Sequence, residues 1–382
     1  MAHIKLAAQN AETSCQLYIG APDFNTYVML DDATLISLAF DPLVAAAKGN
    51  ARALVALAEQ ARRSGDLLRC RQLGQDALEL APDDPEIAFE VRAMFARTVP
   101  EWHFPMMQDT VRNAAFQGAI ERAVRPDTKV LDIGSGSGLL AMMAARAGAA
   151  DVHSCELNPI IAAVARQIVQ QNGFDGQVTI HACSSRKIDA EADLGGRADL
   201  VISEIIGKDL VCEEVLPSMQ DAVKRLAKPD ARFIPQGGQI RVALAHYSKL
   251  DKNRLGEASG FDLSSFNQLS PARFNVPVSD PELELRGEVA DLFTFDFASP
   301  NPWTDRATRE LVATGGRVHG VVQWFRLQMD ETGSFENEPG PDSSPSWALI
   351  FFPFGEPIET KPGDRIGVAA SIAKNLLRIR QA

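Results

Sequence analysis

The chain has 382 residues, 46% apolar and 23% charged, enough for two or three domains around a substantial core. Its 50 acidic against 38 basic residues leave a formal charge of −12, which argues against nucleic-acid binding and favours cationic substrates. No run of about 18 apolar residues and no basic-then-apolar leader occurs, so a cytoplasmic protein without a membrane partner is expected.

Residues 1–45 show little periodicity beyond a helix expected from Ala33 to about Leu43. Over 51–98, Leu54, Leu57, Ala58 and Ala61, then Leu73, Ala77 and Leu78, recur at helical spacing around a turn at Ser64-Gly65-Asp66. The pattern is close to one helix–turn–helix unit of a tetratricopeptide repeat. A single copy points to a small all-α accessory domain over 1–100 rather than a peptide-binding array. Residues 101–120 predict a helix starting near Pro105, with Met107, Val111, Ala115 and Ile120 as its packing face. Asp109 and Arg112, three apart on it, read on their own as an exposed ion pair.

Val130-Leu-Asp-Ile-Gly-Ser-Gly-Ser-Gly138 reads as a buried strand ending in a glycine turn, with a helix over 139–147. The next strand ends at Glu156, whose carboxylate suits two ribose hydroxyls. Position 139, where a dinucleotide turn has its third glycine, is Leu139, which excludes a dehydrogenase. Asp132 would repel a pyrophosphate and attract an ammonium group, so the expected ligand is S-adenosylmethionine. Strands at 129–132, 152–156, 177–182, 199–203 and 232–235 and helices near 159–172 and 209–227 predict an open Rossmann-like sheet over 101–235. After Pro235-Gln-Gly-Gly, short alternating strands predict a β-barrel over 236–382, with 249–282 as a projecting arm. The five cysteines are scattered without C-x-x-C or a histidine at ligand spacing, so neither a disulfide framework nor a metal is expected.

A second site falls at Ser203-Glu204, the end of the fourth strand, with Glu213 and Glu214 nine and ten residues further on. Two carboxylates converging beside a methyl donor suit a planar cation with several N–H donors, a guanidinium. Taken alone, Glu213 and Glu214 read equally well as solvated helix charges.

Residues 102–382 resemble the protein arginine methyltransferase family. His103, Met106, Asp109 and Arg112 match its H-x-x-M-x-x-D-x-x-R helix, 130–138 its cofactor turn, Glu156 its ribose acid, and Ser203 to Glu213 its double-glutamate loop. The helical repeat is most similar to the branch that carries tetratricopeptide repeats. The resemblance implies that Glu204 and Glu213 clamp the arginine side chain and that Met106, Ser346 and Trp347 border it. It implies that His103, Arg112, Asp132, Gly134, Gly136, Glu156, Ser184 and Ser185 serve the cofactor, with Arg112 on its carboxylate. It also implies a homodimer formed through the barrel's arm. The chain departs from the family at three places. The tyrosine-rich segment before the histidine is absent, the Thr-His-Trp triplet is Pro345-Ser346-Trp347, and the acid near the adenine falls on Arg186. The altered triplet leaves room for free L-arginine or a small guanidine as the methyl acceptor. Peptidyl arginine is the alternative substrate, and an inactive scaffold the alternative role.

Overall fold

In a computed structural model of the chain, the residues described are 3–6, 17–20, 28–29, 41–341 and 346–382. They fall into two compact units, 1–99 and 100–382.

The first unit is not all-α, contrary to expectation. Strands β1 (His3–Leu6), β2 (Leu17–Gly20) and β3 (Val28–Met29) form an antiparallel sheet in that order. Ile4 lies opposite Ile19, and Ile19 opposite Val28, so β-branched residues share one row of the register. Strands of two to four residues are too short for a period to stand out in the sequence. The helix expected from Ala33 falls mostly outside the described residues; the chain is helical over 41–47 (α1). Helices α2 (Ala51–Arg63), α3 (Leu67–Leu80) and α4 (Pro85–Ala96) follow, capped by the side chains of Asn50, Asp66 and Asp84. Leu54, Ala58, Leu73, Ala77 and Met94 are buried among them. Gly74 permits their close approach, since a Cβ there would lie 2.8 Å from the Phe95 ring.

The second unit opens with α5 (His103–Gln108) and α6 (Thr110–Ala123), where the sequence predicted one helix. Asp109 is extended between them, and its Oδ1 accepts the Arg112 N–H at 2.9 Å, which ends one helix and caps the next. Then come β4 (Lys129–Ile133), α7 (Leu139–Arg146), β5 (Asp151–Cys155), α8 (Pro159–Gln171), β6 (Val178–His181), β7 (Ala198–Ser203), α9 (Val215–Asp221) and β8 (Ala227–Ile234). The five strands are parallel in the order β6-β5-β4-β7-β8. The order reverses between β4 and β7, and the carboxyl ends at that crevice are where such sheets bind ligands. The helix expected over 209–227 begins only at Val215. Leu210 (φ 70°) and Glu214 (φ 63°) adopt left-handed backbone that an α-helix cannot contain.

From β9 (Gly237–Tyr247) onward the pairing is antiparallel. The segment 249–282 contains most of α10 (Ser248–Asn253), the pair β10 (Glu257–Ala258) and β11 (Phe261–Asp262), and β12 (Phe274–Val276). Phe261, Phe266 and Leu269 in it are exposed. The remaining strands are β13 (Leu283–Leu285), β14 (Ala290–Asp296), β15 (Arg306–Val312), β16 (Gly316–Gln328), β17 (Ser334–Glu336), β18 (Leu349–Thr360), β19 (Arg365–Ala373) and β20 (Leu376–Gln381). One sheet runs β12-β18-β16-β9-β13, with β14 on β9 and β17 on β16; a second runs β15-β19-β20. Phe116, Leu131, Val201, Phe325 and Val368 belong to one continuous core, so the parallel sheet and both antiparallel sheets bury each other's apolar faces. Among the described residues no helix is long and apolar enough to cross a membrane.

Candidate active site

The turn after β4 passes through Gly134, Gly136 and Gly138 with φ of 93°, 51° and 81°. A Cβ on Gly134 would lie 2.5 Å from Ile205, so this glycine lets the loops after β4 and β7 touch. At Gly136 a Cβ would meet nothing, which leaves backbone open to a ligand. Glu156 folds back over this turn. Its Oε2 accepts the Gly136 N–H at 3.0 Å and its Oε1 the Asn158 N–H at 2.8 Å. Burial raises its proton affinity, and those two N–H groups oppose the rise.

Glu204 leaves the end of β7 into the same crevice. Its Oε2 lies 2.7 Å from Arg112 Nη2, with side chains only 6% and 3% exposed. Burial pushes the Glu204 carboxyl up, and Arg112 pulls it down. Arg112 also donates to Asn113 Oδ1 at 2.7 Å and lies 5.1 Å from the Phe116 ring centre, while its buried Nε has no hydrogen-bond partner. At the far end of the loop Glu213 is pushed up to about 7 by burial, then by the charges of Glu204 and Asp209; Lys208 acts in the opposite direction. Glu204 and Glu213 line one cleft of about 210 Å³ with Met106, His103, Gly134, Gly136, Glu156, Ser184 and Ser185. The His103 ring stacks on Trp102 at 4.0 Å between centres.

Four residues expected at this site stand behind the cleft rather than in it. Arg112 does so as the partner of Glu204. Asp132 is fully buried, accepts the Ser154 hydroxyl at 2.6 Å, and is pushed up to about 7 by burial. Its Oδ2 braces the strand end through Ser154, while its buried Oδ1 has no hydrogen-bond partner among the described residues. Trp347 is packed against Phe325 and Phe335, 5.2 and 5.4 Å between ring centres, and donates its N–H to the Ile206 carbonyl at 2.9 Å. A core position that satisfies the indole N–H holds the Glu204 loop from behind, so the ring does not wall the cleft. Ser346 donates its hydroxyl to Asp109, the residue that caps α6. Pro345 lies outside the described residues. Arg186 forms an ion pair with Glu214 at 2.9 Å, both half exposed.

The sequence reading missed Asp209. It is fully buried, accepts the N–H groups of Val211 and Cys212, and binds Arg273 Nη1 at 3.0 Å. The local part, an aspartate two and three residues before its donors, is an Asx-type turn that sequence can suggest; Arg273 is 64 residues away. One group with metal-ligand chemistry occurs among the described residues, His246 on β9, His319 on β16 and Asp251 on α10, outside the cleft. His319 Nδ1 accepts the Tyr247 N–H, which leaves the neutral ring's proton on Nε2, 3.0 Å from Asp251. The ring therefore faces Asp251 with a donor, not with a lone pair for a metal.

The cleft fits S-adenosylmethionine. Glu156, Glu204, Glu213 and Glu214 line it, a field that repels a phosphate chain and suits a sulfonium and an ammonium. Glu156 retains lone pairs for ribose hydroxyls, and Gly136 leaves the backbone accessible.

Comparison with known proteins agrees. Residues 116–240 match the ribosomal protein L11 methyltransferase (PrmA) family. The chain is 34% identical over 306 residues to an arginine N(omega)-methyltransferase of Streptomyces achromogenes subsp. streptozoticus, covering 79% of this chain and 84% of that one. It is 29% identical over 269 residues to protein arginine N-methyltransferase 7 of Oryza sativa subsp. japonica, covering 64% of this chain but only 37% of the plant protein. Its fold is similar to that of the Trypanosoma brucei PRMT1 enzyme–prozyme heterotetrameric complex with AdoHcy, with a TM-score of 0.66 and 24% identity, covering 74% of this chain and 92% of that chain. The chain belongs to the protein arginine methyltransferase family and is an S-adenosylmethionine-dependent arginine methyltransferase.

Proposed function

We propose that the acceptor is a terminal guanidino nitrogen of free L-arginine or a small guanidine. The observation that carries this reading is the similarity to the Streptomyces arginine N(omega)-methyltransferase, which extends over 84% of that protein. The similarity to the plant protein arginine methyltransferase favours peptidyl arginine as a second reading, but spans 37% of that chain. When bound, S-adenosylmethionine supplies an electrophilic methyl on its sulfonium. Glu204, fixed by Arg112, and Glu213 bind the guanidinium between them and orient one terminal nitrogen, which is catalysis by positioning. Their charges draw positive character toward the far nitrogens and stabilise what develops on the attacking one. Glu213, near 7, is matched to accept the proton that the methylated guanidinium loses. His103, Met106, Ser184 and Ser185 complete the wall of the cleft. We read the two antiparallel sheets as the family's barrel, and the exposed Phe261, Phe266 and Leu269 as the arm that pairs two copies.

Incubating the purified protein with S-adenosylmethionine and either L-arginine or an arginine–glycine-rich peptide, read by mass spectrometry, tests the substrate. A methyl gain on L-arginine alone is expected. A gain on the peptide alone overturns the reading in favour of a protein-modifying enzyme.

A further inference from the structure

Three of the chain's four tryptophans are used by the fold. Trp324 and Trp347 are buried, and Trp303 packs edge-on against Phe295. Each donates its indole N–H: Trp324 to Glu336 Oε1, Trp347 to the Ile206 carbonyl and Trp303 to the Asp296 carbonyl. Trp102 is different. It is 39% exposed, its N–H has no acceptor among the described residues, and its side chain lines the cleft. One face of the indole lies on the His103 ring, 15° from parallel, and that ring is pinned by Nδ1 to the Pro100 carbonyl at 3.0 Å. No other ring packs on the indole, and none but the His103 imidazole lines the cleft with it, among the described residues.

The backbone fixes which part of the cleft Trp102 serves. Its carbonyl accepts the Met106 N–H at 3.2 Å, a helical bond, so the two side chains stand one turn apart on one face of α5, and both line the cleft. No residue of α5 is fully buried. The helix ends at Asp109, and three residues further on Arg112 binds Glu204 at the end of β7. The carboxyl end of α5 therefore lies on the acceptor side, and Trp102 stands about 10 Å away along the helix at 1.5 Å per residue. At that end His103 is among the groups that oppose the rise burial imposes on Glu156, the acid after β5. Strands β5 and β7 flank β4 on opposite sides, so the ring stands over the half of the cleft that holds the ribose acid. We propose that Trp102 is a cofactor-binding residue whose uncovered indole face stacks on the adenosyl group of S-adenosylmethionine. An aromatic face left in water at the cleft's rim is then covered by a second π surface. The contact is with the cofactor and holds whichever arginine accepts the methyl.

Calorimetric titration with S-adenosylmethionine and with S-adenosylhomocysteine, which share the adenosyl group, reads the contact without turnover. Trp102→Ala is expected to weaken both by roughly 5- to 100-fold, the range for removing an aromatic from a stacked base. The melting temperature without cofactor is expected to move by no more than about a degree or two, because the ring is exposed. Trp102→Phe is expected to restore most of the affinity. In the wild type, tryptophan emission is expected to fall as S-adenosylhomocysteine binds, and in Trp102→Phe that change disappears while binding persists. Wild-type affinity in Trp102→Ala overturns the assignment. A loss confined to S-adenosylmethionine also overturns it, since that puts the indole on the sulfonium. So does an emission change that survives in Trp102→Phe, which belongs to another tryptophan. Lost affinity together with a collapse of cofactor-free stability marks a structural role and overturns it as well.

Discussion

Glu204 and Glu213 stand at the two ends of one loop, and the protein treats them in opposite ways. Glu204 is buried and bound at 2.7 Å to Arg112, itself held by Asn113 and the Phe116 ring. Glu213 has no ion pair among the described residues and is crowded by Glu204 and Asp209, which with burial push its carboxyl to about 7. The first is a fixed charge and the second an adjustable one. The pair shows that two carboxylates sharing one cation need not share one state: one sets the geometry, and the other can gain or lose a proton as the substrate arrives and leaves.

The strongest way to break this contrast is to remove the partner that fixes Glu204. Arg112→Met leaves a buried carboxylate unpaired, and a loss of about 3–5 kcal/mol is expected in denaturant unfolding, together with loss of turnover. Glu204→Gln is milder to the fold, because an amide oxygen still accepts from Arg112. Turnover is expected to fall on the order of a hundredfold or more while S-adenosylmethionine binding, measured by calorimetry, is largely retained. Wild-type turnover there would remove Glu204 from the chemistry. The Glu213 end is sharpened by pH. Only its ionised form pairs with a guanidinium, so kcat/KM is expected to rise about tenfold per unit below pH 7 and to level off above it. Bound guanidinium favours the carboxylate, so the matching limb in kcat lies at lower pH, and Glu213→Gln abolishes it. A profile unchanged in that variant would assign the limb elsewhere, Asp132 being the other group near 7. The smallest effect belongs to Arg186→Gln. It breaks an ion pair that is half exposed on both sides, so changes in KM and melting temperature are expected to stay within about threefold and a degree or two.

The parts of the site that sequence revealed are those built by adjacent residues. Strand, glycine turn and helix N-terminus follow one another from Val130 to Leu139, and every element there is a local consequence of apolar pattern and glycine. The misreadings fall where distant partners decide. Asp109 breaks a helix that propensity would continue because it serves both the Arg112 N–H and the Ser346 hydroxyl, 237 residues away. Residues 209–214 have the composition of a helix start, yet Asp209 turns inward to Arg273 and the backbone at Leu210 and Glu214 takes left-handed values. Trp347 carries an aromatic face suited to a cation, but the core formed by Phe325 and Phe335 claims it. Asp132 is read from its position before the glycines as a ligand, and the Ser154 hydroxyl on the neighbouring strand takes one of its two oxygens.

Arg273 Nη1 donates to both Asp209 Oδ2 and the Leu377 carbonyl of β20. The loop that carries both glutamates is thus braced by a strand made more than 160 residues later. During synthesis the cofactor turn and β7 are complete long before that strand exists, so a nascent chain can shape a place for the methyl donor while its acceptor loop still lacks its brace. The shape of the acceptor loop thus depends on residues far along the chain, whereas the cofactor turn is built by its neighbours.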